Sequence, residues 1–83
     1  MRERIRQFLV ENFLYGTAPA GFNDSASLLD SGVMDSTGVM ELVLFLEEEF
    51  GVKVADDEVV PENLDSIERI CTFVRRKLAA VEP

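Results

Sequence analysis

Four places in this 83-residue chain set an aspartate directly before a serine: Asp24 and Ser25, Asp30 and Ser31, Asp35 and Ser36, and Asp65 and Ser66. A serine hydroxyl attacks when a neighbouring base takes its proton, or it receives a group that another protein transfers to it. The chain has no histidine and a single cysteine, Cys71. That excludes nucleophilic triads built on imidazole, the usual zinc-ligand sets and a disulfide framework. No catalytic residue and no metal ligand set is assigned, and the catalytic options left to these serines are thin. Asp and Ser are also the preferred helix N-caps, so each pair is by itself only a cap, and its surroundings decide.

Helical periodicity supplies the surroundings. Ile5, Phe8, Leu9 and Phe13 recur at helical spacing among charged residues, and Gly16, just after Tyr15, ends that pattern. From Gly16 to Asp35 the chain carries Pro19, Gly21, Gly32 and several Ser, Asn and Asp residues, with Phe22, Leu28, Leu29 and Val33 to pin it. This reads as a long loop over the core. From Ser36 to Phe50, Val39, Leu42, Val43, Leu46 and Phe50 form one inward stripe, and Gly51 is the stop. Thr37, Met40, Glu41, Leu44 and Glu48 lie on another face of the same helix, so two apolar side chains stand among carboxylates.

After a connector at Val52 and Val54, Asp56 to Val60 allow one or two helical turns before Pro61 limits them. Asp65 with Glu68 three residues on reads as a capping box. It opens a last helix whose stripe is Ile67, Ile70, Cys71, Val74 and Leu78. Cys71 is read as a small buried apolar residue of that stripe. Nothing alternates with a period of two for long enough to build a sheet. The expected fold is all-α: a four-helix bundle of three longer helices and a short third one, forming a single domain over 1–83.

Sixteen acidic residues against eight basic ones give a net charge of -8. Ten of the acids lie between Asp35 and Asp65, where Lys53 is the one base. Such a surface repels nucleic acid and anionic membrane and favours partners with basic surfaces. Arg6, Gln7, Glu11 and Asn12 interrupt the N-terminal segment, so neither a secretory leader nor a membrane span is expected, and the chain is expected in the cytoplasm. An EF-hand at Asp56 is excluded because Pro61 stands where the loop glycine is required. Loose divalent-ion binding by the crowded carboxylates is expected.

The Asp35 and Ser36 pair is preceded by Leu28, Leu29, Asp30, Ser31, Gly32, Val33 and Met34. It is followed by Glu41, Leu42 and Val43, and then by the run Leu46, Glu47, Glu48, Glu49, Phe50 and Gly51. This context resembles the acyl carrier protein family, whose signature is a Gly, a short apolar spacer and Asp-Ser opening an acidic helix that runs on to Glu-Glu-Phe. The resemblance is strong from Leu28 to Val54 and extends loosely to nearly the whole chain. It implies that Ser36 accepts 4'-phosphopantetheine from coenzyme A through a separate phosphopantetheinyl transferase, with Asp35 as motif residue and cap. Ser66 fails as a rival on position, because the seventeen residues after it leave no room for the later helices of a carrier.

The resemblance further implies a partner-reading face at Met40, Glu41, Leu44, Glu47 and Glu48. Acyl or aminoacyl ligases and synthases with basic docking surfaces would read it, in fatty-acid, polyketide, peptide or related biosynthesis. A monomer is expected, since the two main stripes can cover each other. Where the family commonly has Leu after its serine, this chain has Thr37 and then Gly38. That departure loosens the expected first turn and leaves ordinary fatty-acid synthesis and a specialised pathway equally open. The competing class is an acidic helical adaptor that binds partners without a cofactor.

Overall fold

A computed structural model describes residues 1–14, 16 and 22–81, with backbone alone at 80 and 81. Tyr15, Pro19 and Gly21 lie outside the described residues. The expected all-α fold is present: α1 spans Arg2–Phe13, α2 Ser36–Phe50, α3 Pro61–Leu64 and α4 Ile67–Val81, with a 3₁₀ turn at Asp56–Glu58. Among the described residues there is no strand, and no helix is long and apolar enough to cross a membrane.

Helix α2 follows its sequence closely. The Asp35 carboxylate takes the Gly38 N–H at 2.8 Å, satisfying one of the donors that every helix start leaves without an intrahelical acceptor. Gly51 adopts the left-handed conformation, with φ of 69°, and ends the helix by donating to the Glu47 carbonyl. Leu42, Val43 and Leu46 are buried, Val39 and Phe50 half-buried, so the predicted stripe does face the core.

Gly38 is not the loosening that sequence reading gives it. It is buried, and a Cβ there would stand 2.7 Å from Cε1 of Phe13 and 3.1 Å from Cγ of Met34. The absent side chain lets the end of α1 close on the first turn of α2. Phe13 in turn meets Phe8 edge-on at 5.8 Å, and Phe8 stacks on Phe45 at 4.1 Å. Such ring pairs add to area burial and lock two helices laterally. Phe45 lies outside the predicted stripe, yet through this stack it belongs to the α1–α2 contact.

Two boundaries differ from the sequence reading. Pro61 does not end the third helix; it opens it, and Asp56–Glu58 is only a 3₁₀ turn. At the first helical position proline's missing N–H is no loss and its fixed φ suits the helix. The cap of α4 is Ser66, not Asp65: Ser66 Oγ accepts the Arg69 N–H at 3.1 Å, and the Ser66 carbonyl accepts that of Ile70. Asp65 is engaged elsewhere. Its carboxylate accepts Ser27 Oγ at 2.6 Å and the Leu29 N–H at 2.9 Å, and its carbonyl accepts the Leu28 N–H at 2.7 Å.

Those bonds hold the long loop against the start of α4, with Leu28 fully buried beneath them. Asp24 ties the same loop to α1 through Arg2 at 3.0 Å and Arg6 at 3.7 Å. Its carbonyl also accepts the Glu68 N–H. The core they enclose comprises Ile5 and Leu9 of α1, Leu28 and Met34 of the loop, Leu42, Val43 and Leu46 of α2, Val52 and Leu64, and Ile67, Ile70, Cys71, Phe73 and Val74 of α4. Cys71 is 1% exposed, a packing residue as its stripe position implied.

Candidate functional site

The capped start of α2 leaves Ser36 exposed as its first helical residue. Gly38 gives its N–H to the Asp35 carboxylate and Val39 gives its own to the Asp35 carbonyl. The N–H groups of Ser36 and Thr37 have no intrahelical acceptor by helix geometry, and they sit at the positive end of the α2 dipole. A serine in this position has its hydroxyl in solvent and donors for an anion on either side. Ser66, the rival, is 4% exposed and uses its oxygen to cap α4.

Beside Ser36 opens a cleft of about 240 Å³. Ser36, Val39 and Met40 of α2 form one wall, Val59, Val60, Pro61 and Leu64 the other, and Leu29 and Met34 complete the lining. Eight of these nine side chains are apolar, and Ser36 supplies the sole hydroxyl. The cleft therefore offers apolar shelter that starts at the exposed serine. Periodicity did not reveal the far wall, although the Val59, Val60 and Pro61 run is a local apolar signal outside any predicted stripe.

The predicted partner-facing residues separate into two groups. Met40 and Leu44 are 56% and 57% exposed, and Glu41 and Glu48 are exposed with them on one strip of α2. Glu47 is half-buried on another flank, where its carboxylate accepts the Val54 N–H at 2.9 Å and holds the connector after α2. Glu49, outside the predicted set, meets Arg4 of α1 at 3.4 Å. Arg4 also lies 5.0 Å from the Phe45 ring centroid, so the acidic strip ends in a cation at its α1 border. Among the described residues no group of three or more metal-ligating side chains is placed to hold an ion.

The far wall of the cleft is bound to α4 by polar groups. Lys77 Nζ stands 2.8 Å from Glu58 Oε1, which also accepts the Ala55 N–H at 2.9 Å. The Lys77 hydrogen bond, followed by that of Ala55, holds the Glu58 carboxyl below its ordinary value.

Comparison with known proteins agrees with this geometry. A family model described as the phosphopantetheine attachment site matches residues 5–74. An acyl carrier protein of Zymomonas mobilis subsp. mobilis is 36% identical over 72 residues, 87% of either chain. An acyl carrier protein of Rhodopseudomonas palustris is 42% identical over 55 residues, 66% of this chain and 67% of its own. A D-alanyl carrier protein of Abiotrophia defectiva is 36% identical over 55 residues, 66% of this chain and 70% of its own. The matched span runs from Ile5 in α1 to Val74 in α4 and takes in the whole of the capped serine, the cleft and the acidic strip. With these relatives it makes the chain a member of the acyl carrier protein family, a carrier with a phosphopantetheine attachment domain and not an enzyme.

Proposed function

We propose that Ser36 is the residue that bears 4'-phosphopantetheine, and that residues 1–83 act as one carrier domain presenting acyl or aminoacyl groups to partner enzymes. The observation that carries this reading is the position of an exposed serine hydroxyl where a helix start meets an apolar cleft. The residues fit the group. The N-terminus of α2 suits a phosphodiester, which the dipole would stabilise by roughly 0.3 to 1 kcal/mol. When bound, the arm supplies the thiol on which a carried group rides as a thioester.

The chain's own part is to position and to shelter. Asp35 holds the first turn that presents Ser36, and the apolar walls keep water from a group lying in the cleft. At about 240 Å³ the cleft is smaller than the roughly 300 to 1,000 Å³ of drug-sized ligand sites, which favours a short acyl or aminoacyl cargo. Deprotonation of Ser36 and the Mg²⁺ for the transfer belong to the phosphopantetheinyl transferase, because no imidazole is available in this chain.

Partners dock on α2. Met40 and Leu44 give an apolar centre, while Glu41 and Glu48 supply carboxylates for Arg and Lys of ligases and synthases, and Glu47, turned to the Val54 N–H, holds the connector beside them. Charge complementarity of this kind speeds encounter and selects partners more than it deepens affinity, which suits a carrier that must let go. Few large apolar side chains are exposed among the described residues, which supports a monomer, and the chain is proposed to work in the cytoplasm.

Intact-protein mass spectrometry after incubation with coenzyme A, Mg²⁺ and a promiscuous phosphopantetheinyl transferase tests the assignment. The expected result is a gain of one phosphopantetheine mass in the parent and none in Ser36→Ala. No gain in either chain would favour an adaptor that uses the acidic strip without a cofactor.

A further inference from the structure

The two ends of the far cleft wall are gripped by consecutive residues of α4. Lys77 holds Glu58 at 2.8 Å, and Arg76 Nη2 donates to Asn63 Oδ1 at 3.1 Å. Asn63 closes the arrangement, because its Nδ2 donates to the Glu58 carbonyl at 2.9 Å and so bridges the residues on either side of Val59, Val60 and Pro61. Both cations also lie near the buried Phe73 ring, at 5.9 and 6.0 Å from its centroid, so their stems are backed by the core. The Lys77 and Glu58 side chains are 25% and 29% exposed, the most shielded of the chain's described ion pairs.

Apolar anchoring of this wall is slight. Leu64 is its one buried side chain; Val59 is half-buried against the core, Val60 is half-buried and Pro61 is exposed. We propose that Glu58, Asn63, Arg76 and Lys77 form a latch that holds the Val59 to Leu64 wall against α4 and so sets the width of the cleft. They are positioning residues for the carried group, a statement that rests on the reading that the cleft shelters cargo from Ser36. The latch acts on the wall whether or not an arm is present. Loosening it frees the segment to move away from α2 without disturbing the Leu42, Val43 and Leu46 packing.

The test uses the full chain carrying Ser36→Ala, which removes any contribution of an arm. Amide hydrogen exchange is compared between that chain and versions with Asn63→Ala, with Lys77→Met or with Lys77→Arg. The Asn63, Leu64 and Asp65 amides, which bond to Val60 and Pro61 carbonyls, are expected to exchange about tenfold faster in the first two. Amides of α2 are expected to be unchanged, and Lys77→Arg to stay close to the reference. Dissolved xenon, which enters apolar cavities, is expected to shift the Val60 and Leu64 methyl signals more in Asn63→Ala than in the reference.

No acceleration, or acceleration shared equally with α2, would overturn the latch. Localised acceleration with unchanged xenon shifts would overturn its control of cleft width. Failure of the mass measurement at Ser36 would remove the cargo and leave these outcomes standing, so the two readings fail separately.

Discussion

The two walls that flank Ser36 are built on different principles. The α2 wall is a fifteen-residue helix with an Asp35 cap, a Gly51 stop and a buried stripe. Its cleft-facing residues are by-products of a helix fixed from end to end. The opposite wall is a 3₁₀ turn and a single helical turn, joined through Val59 and Val60 and held by one buried leucine and a polar latch. Continuous apolar packing gives a surface that does not change from one partner to the next. Point contacts give one that can be adjusted by a single residue.

The largest effect that sharpens this contrast is expected from Leu46→Ala. Leu46 is fully buried, and its truncation should lower global stability by about 3 kcal/mol, read from urea unfolding by circular dichroism. A loss confined to one end of α2 would break the picture of a wall fixed along its length.

A smaller and local effect is expected at the latch on acidification. The Glu58 carboxyl faces Lys77 and Arg76 of α4 and the Ala55 N–H, and they hold it below the ordinary value of 4.5. A carboxyl with a lowered folded value stabilises the fold above its unfolded value and loses that contribution as pH falls through the lowered one. The gap in thermal stability between the parent and Glu58→Gln should therefore be full above pH 4.5 and close beneath it. A gap that widened on acidification would contradict the sign.

The smallest effect concerns the acidic strip. Like charges at Glu41, Glu48 and their neighbours repel, so millimolar Mg²⁺ or Ca²⁺ should raise the melting temperature more than NaCl of matched ionic strength. Equal shifts in the two salts would show that general screening suffices.

The same contrast explains what could be read in advance. Helix α2 is written locally: its stripe recurs every three or four residues, and Asp35 and Gly51 mark its ends. The opening at Ser36 was legible for that reason. The far wall was not, because its partners lie far away in the chain, Glu58 with Lys77 and Asn63 with Arg76. Pro61 illustrates the ambiguity, since a proline stops a helix or starts one on equal local terms. Burial of Leu64 three residues later decides for the start. Asp65 and Ser66 are both good caps, and the choice between them was made by Ser27 and Leu29, which claim the aspartate.

Gly38 carries one more implication. Its missing side chain and the Phe13 ring occupy a single space, so the sizes at 13 and 38 are one decision shared by two helices. A chain that gained a side chain at 38 before losing the ring at 13 would push Phe13 away from Phe8. The disturbance would then pass along the stack to Phe45, beside the strip that holds Leu44. Viable change has an order here, ring first and glycine second. A bulkier residue placed at 38 would register on α1 before it registered at the serine.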